Sequence, residues 1–300
     1  YLIPVGEQKQ NQVEAPARQR TKVKQDKSRI RIYGKNFTCL VDRSTGMILS
    51  VEKDNRQILS GGPWLMALSL TGGGCYPNHN AETPVFNDLC KGWKVTGVEV
   101  SEEGQDVRLK VSGSYDGFDG QYEMICNANG EIRVDYQFTV RTAVNPRQWG
   151  MVFETPAGFE ETFWRRKGLW SVYPADHISR PSGTAKSFYP EVPAVQNPRI
   201  KPAWAWSKDF NQLGSNDFRS TRRNIWYAGL QDVEGQSRVT VVSDGRKHWR
   251  SWKEGEKTCF LVADFVTAGD EMFLGSHYAP YRKPLKVGDV ISGSIILRVR

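Results

Sequence analysis

The sequence predicts an all-β chain folded as a two-sheet antiparallel sandwich, with helices few and short. Three observations carry this. Apolar and polar residues alternate in RIRIYGKNFTCLVD (29–42), VRLKVSGSYDG (107–117), QYEMICNA (121–128), EIRVDYQFTVRT (131–142), SRVTVVSD (237–244), KTCFLVADF (257–265) and VISGSIILRVR (290–300). That period of two is the signature of strands with one buried face. Turn residues punctuate the segments at 44–46, 127–130 and 234–236. No long apolar stripe of period 3.6 occurs, so no strand–helix–strand unit is available to build a parallel sheet.

Taken in order, residues 1–28 come first and stand apart. They are polar, rich in Gln and Lys, and hold Pro4 and Pro16. They read as a linker or strap from a preceding domain. The chain starts at Tyr1 rather than Met, with no basic stretch leading into an apolar one, so no signal peptide is expected. A cut from a longer protein is. Residues 29–300 read as one β domain. Two long stretches within it, about 61–93 and 163–225, show no clean alternation and are expected to be irregular. Loops of that length in a compact domain are usually functional.

Composition excludes several classes. No apolar run approaches the ~20 residues of a membrane-crossing helix. The net charge of +8 suggests nucleic acid, but residues 1–29 alone hold seven Lys/Arg against three Asp/Glu. Elsewhere bases alternate with acids along strands, without the single basic stripe that tracks phosphates. The TGGG at 71–74 follows no βαβ unit, so it is a turn and not a phosphate cradle. Of the five cysteines none forms a C-x-x-C pair or lies at metal spacing from a histidine, and neither metal nor cofactor is expected. Cys39 and Cys126 fall in strands, where a thiol packs as a small apolar group. Cys75 and Cys90 flank one loop. Whether they pair depends on the compartment, which the sequence leaves open.

The densest chemistry lies at 163–180, FWRRKGLWSVYPADHISR. Trp164, Trp170 and Tyr173 offer flat apolar faces. Arg165, Arg166, Asp176, His177 and Arg180 offer directional hydrogen bonds. A pyranose needs both, since its C–H face stacks on rings and its hydroxyls want planar partners. The competing reading is that these rings fill gaps between two sheets.

The order of motifs resembles the C-terminal small-chain domain of glycoside hydrolase family 2 β-galactosidases. The stretch KNFTCLVDRSTGMILSVEKDNRQILSGGPW is similar to that domain's first hairpins, and GLWSVYPADHISRPSGTA to its Tyr-Pro-Asp-Arg segment. PAWAWSKDFNQLGSNDFRSTRRNIWYAGL and GSHYAPYRKP follow in the family's order. The resemblance spans about residues 28–300 and implies a galactose-mutarotase-type supersandwich. It also implies a non-catalytic role beside a catalytic barrel domain of the same parent chain, which would carry the two glutamates of a retaining glycosidase. The small-chain domain would complete the edge of a β-galactoside site with an aromatic from its final loop. Tyr278 matches that position most nearly, with His277 beside it. The other expected sugar contacts are Trp170, His177 and Arg180. After the Gly-Pro, this chain reads WLMALSLTGGG where many members carry a charged run, so the sugar itself stays open. Two alternatives accompany this reading: a stand-alone carbohydrate-binding module, or an aldose-epimerase-like enzyme. For the second, His177 with Asp176 and Glu191 is the one histidine placed to act as an acid.

Overall fold

The computed structural model describes residues 20–69, 89–168, 181–186, 221–266 and 283–300. These form seventeen strands in two antiparallel sheets, with no helix among the described residues. The alternating segments all become strands, and the all-β sandwich expected from them is what the chain builds.

The smaller sheet is a simple meander of β1 (Lys22–Gln25), β2 (Arg29–Tyr33), β3 (Phe37–Asp42), β4 (Ile48–Lys53) and β5 (Arg56–Leu59). Ile30, Ile32, Cys39, Val41 and Val51 point into the core, while Arg29 and Arg31 point out. Strand β1 lies within the span read as a strap and pairs along β2 from Lys22↔Tyr33 to Gln25↔Ile30. The turn after β3 shows why the local sequence folds as it does. The Asp42 carboxylate accepts from the Ser44 amide and hydroxyl, both at 2.7 Å. Gly46 then adopts φ +72°, and the Tyr122 hydroxyl donates to its carbonyl at 2.7 Å. A Cβ at Gly46 would meet Val111 at 2.5 Å, so only glycine lets the turn sit this close to the larger sheet.

The larger sheet runs β13-β12-β14-β15-β17-β10-β9-β8-β7. These are β13 (Ser182–Lys186), β12 (Phe159–Arg166), β14 (Arg222–Asp232), β15 (Arg238–Glu254), β17 (Val290–Val299), β10 (Glu131–Val140), β9 (Phe118–Cys126), β8 (Asp106–Ser114) and β7 (Lys94–Glu103). Strand β15 is the hinge of the architecture. Its first half, 239–242, pairs with β17. Its second half, 248–254, pairs instead with β16 (Lys257–Val266). Strand β16 continues to β11 (Pro146–Thr155) and then to β6 (Gly61–Ser69). Between the halves, Gly245 takes φ +86° and the strand changes course. The curled sheet closes over one large core lined by Tyr122, Phe138, Met151, Trp164, Trp249 and Phe260, among others.

A polar pin joins the two halves. The Tyr136 hydroxyl of β10 donates to Asp264 Oδ2 of β16 at 2.6 Å, and Lys247 of β15 ion-pairs with the other Asp264 oxygen.

Two expectations need correction. The stretch 61–93 begins with strand β6, and 163–225 holds the end of β12, all of β13 and the start of β14. Strand β11 carried no alternation at all. The cause is burial on both faces. Leu65 and Ala67 of β6 join the main core while Met66 joins a second apolar cluster; Met151 and Phe153 of β11 do the same on either side of Val152. A strand buried on both sides has no polar face to alternate with. Trp164 is also corrected. It is a core residue, with the Arg222 guanidinium 4.2 Å from its ring centre, and offers no face to a ligand. Cys39 and Cys126 are buried as expected, and the Cys39 contact followed by burial pushes the Cys126 thiol well above its ordinary range. Cys90 is buried; Cys75 lies outside the described residues.

Candidate functional site

The side chains singled out for sugar contact, Trp170, His177, Arg180, His277 and Tyr278, all lie outside the described residues, as do Tyr173 and Asp176. Their attachment points are described. Strand β12 ends at Arg166, opposite Ile225, and β16 ends at Val266, opposite Gln148. Strand β6 ends at Ser69 opposite Pro146, and β14 begins at Arg222 opposite Trp249.

Strands β6, β11, β16 and β15 carry a face distinct from the main core. In-register pairing sets Met66, Gly150, Ala263 and His248 in one row across four strands. The next row holds Trp64, Val152, Leu261 and Arg250. Trp252 follows beside Cys259 and Glu154. Met66, Val152, Trp252, Cys259, Leu261 and Ala263 form the second apolar cluster. Set into it are polar side chains that a plain core would exclude. Gln148 is fully buried, and neither its amide nitrogen nor its amide oxygen has a hydrogen-bond partner. It stands about 12 Å from His248, two strands and one row away. Arg250 is buried with its guanidinium 4.8 Å from the Trp252 ring centre and against the Met66 sulfur. Further buried polar atoms without partners among the described residues include Asn145 Oδ1, Trp149 Nε1, Arg166 Nε, Thr221 Oγ1 and Trp249 Nε1. Native interiors leave few such atoms unmatched, and a group of them marks a place for water or ligand.

Beside His248, β14 carries a double irregularity. Its register against β15 shifts between Arg222 and Ile225 and again between Ile225 and Tyr227. Asn224 sits there at φ +55°, an unusual conformation for a residue other than glycine inside a strand. His248 holds it: the Asn224 amide donates to His248 Nδ1 at 3.0 Å. With Nδ1 accepting, a neutral imidazole carries its proton on Nε2 and has one N–H to offer. The ring is kept neutral because burial, then Arg223 and Lys247, push its pKa down to about 4. Next to this pair, Trp226 lies over Gly245, whose built Cβ would come within 3.2 Å of the indole. The indole is 38% exposed, one of few large apolar side chains left open among the described residues. The rim thus presents a flat aromatic beside a neutral imidazole.

At the other end of the same face, Glu154, Glu254 and Cys259 bring their ligand atoms within 4.8 Å of one another. The donor set does not suit a metal. Lys257 already pairs with Glu154 at 2.8 Å, and the Cys259 thiol donates to Glu254 at 3.1 Å. Burial and then that carboxylate raise the thiol pKa, opposing the thiolate a metal would need. Nor does the pair suit retaining hydrolysis. Glu154 is tied to a lysine, and Glu254 lies exposed on a hairpin where it accepts the Cys259 hydrogen bond.

No protein-family model matches the chain, and no curated protein matches it. Solved structures do resemble it. One is a galactose mutarotase-like protein from Lactobacillus casei ATCC 334, with TM-score 0.49 and 11% identity over 91% of this chain and 100% of that one. Another is galactose 1-epimerase from Lactobacillus acidophilus NCFM, with TM-score 0.43 and 8% identity over 93% and 98%. A third is a β-arabinopyranosidase, with TM-score 0.46 and 12% identity over 89% of this chain and 39% of that one. None of these likenesses assigns an activity to this chain.

Sequence reasoning passed over the rim. His248 and Trp226 lie outside the segments whose alternation marked them as strands. The one local signal was Asp244-Gly245, a turn dipeptide in the middle of an otherwise continuous strand pattern.

Proposed function

We propose that this chain is a carbohydrate-recognising, non-catalytic domain of a multidomain glycoside hydrolase resembling β-galactosidase, and that the β14–β15 rim forms an edge of its sugar site. The observation that carries this is Trp226 laid open on Gly245 beside the His248–Asn224 pair. A pyranose stacks its C–H face on such a ring and takes a hydrogen bond from the adjacent imidazole N–H. His248 serves as a donor and not as a proton source, because a group titrating near 4 is already neutral at pH 7.

Titrating the purified chain with methyl β-glycosides, read by calorimetry, tests the reading. Saturable binding is expected, and Trp226→Ala should weaken it by about 1 kcal/mol, roughly fivefold. Binding by neither a galactoside nor a glucoside would remove the carbohydrate reading. The same preparation should release no aryl alcohol from aryl β-galactosides above a buffer blank. Turnover that survives repurification would overturn the non-catalytic assignment.

A further inference from the structure

Resting on the carbohydrate reading above, we infer that the sugar chain taken here carries an N-acetyl group: Gln148 and the apolar side chains around it form a subsite for the acetamido substituent of the sugar next to the one at the rim. Gln148 carries the argument. It is wholly buried in β11, and neither of its amide atoms has a hydrogen-bond partner. Its neighbours in register are Leu68 of β6 and Val266 of β16, whose side chains have nothing to bond it with. The next row on the same face sets Met66 and Ala263 on either side of Gly150. Gly150 leaves that place bare. No larger residue fits there, since a Cβ would meet the Val262 carbonyl oxygen at 2.1 Å. A primary amide thus stands beside a bare patch inside an apolar frame.

An unmatched buried amide costs free energy, and a ligand that supplies its partners recovers the loss. Such a ligand must take a hydrogen bond from the amide nitrogen and give one to the amide oxygen. It must also be apolar where it meets Met66, Leu68, Ala263 and Val266. An acetamido group on a pyranose meets these demands. Its carbonyl accepts from Gln148 Nε2, the ring hydroxyl beside it donates to Gln148 Oε1, and its methyl lies against the frame. A plain pair of hydroxyls would satisfy the amide but would leave polar atoms unmatched against the frame. Distance places the group on a neighbouring sugar, because the stretch of about 12 Å from Gln148 to His248 is more than one pyranose ring spans. The row of Met66, Gly150 and Ala263 ends at His248, so one continuous face joins the two positions.

Calorimetric titration of the chain with two pairs of disaccharides tests this: lactose against N-acetyllactosamine, and cellobiose against N,N′-diacetylchitobiose. Within each pair the only change is acetamido for hydroxyl. At least one acetamido sugar should bind about tenfold tighter than its parent. Gln148→Met, which keeps the side-chain length and removes both polar atoms, should erase that difference. The variant should also melt no lower than the wild-type chain, because no hydrogen bond is lost. Equal binding within both pairs overturns the acetamido subsite and leaves the carbohydrate reading standing. A preference that survives in Gln148→Met overturns the role of Gln148. A melting midpoint clearly lowered in Gln148→Met would show that the amide is bonded within the fold, and the subsite falls with it. Binding of none of the four sugars overturns both readings.

Discussion

Replacing Trp249 by alanine should destabilise the chain by about 3–5 kcal/mol, the range for removing a large aromatic from a packed core. Trp249 is wholly buried on the second half of β15. It stacks on Phe260 with ring centres 4.8 Å apart and planes 17° apart, and lies in register with Val262 on one side and Arg222 on the other. It therefore braces three strands where the sheet changes partners, and alanine would leave a cavity in the middle of that junction. Against a typical total stability of about 5–15 kcal/mol, the loss is a large fraction. Trp249→Phe should recover most of it, because the indole N–H makes no hydrogen bond here and nothing polar is given up. Urea denaturation of the three proteins measures this. A difference of less than about 1 kcal/mol for the alanine variant would show that the junction closes over the gap and does not depend on the ring.

The second expected result concerns acid. The pKa of His248 falls from 6.5 to about 4 on folding. Above pH 6.5 the ring is neutral in both states and pH has no effect through it. Between 6.5 and 4 the unfolded chain binds a proton that the folded chain refuses, so stability falls as pH falls. Below about 4 both states are protonated and the loss is complete, at about 3 kcal/mol from this group. Burial is the main cause of the shift, followed by Arg223 and Lys247; the Asn224 amide at Nδ1 adds a contact that only the neutral ring accepts. His248→Gln removes the titration at the cost of about 1 kcal/mol at pH 7 for the lost hydrogen bond. Denaturation midpoints from pH 7.5 to 4.5 should therefore show the wild-type chain starting more stable and the gap to the variant closing as pH drops. Parallel curves would mean that His248 does not change its proton affinity on folding.

Which parts of this molecule were readable beforehand follows from how each strand is buried. Strands with one wet face, such as β8 and β10, show burial alternating residue by residue, and their sequences alternate to match. Strand β11 is buried almost throughout, so its PRQWGMVFET carries no period. Trp164, read from the sequence as a ring open to a ligand, turns inward because β12 continues to Arg166. The rim was missed for a different reason. Asn224, Trp226, Gly245 and His248 come from two strands, and their meeting depends on two register shifts in β14 that no local pattern encodes.

The sequence by itself determined the all-β class, most strand positions and the tight turns, because alternation and turn chemistry are local and each acts within a few residues. Tertiary structure alone decided that β15 exchanges β17 for β16 within the larger sheet, that a second face carries buried Gln148 and Arg250, and that Asn224, Trp226 and His248 meet. Those outcomes rest on pairings between residues tens of positions apart, where burial of whole strands and the desolvation of charge outweigh any local preference.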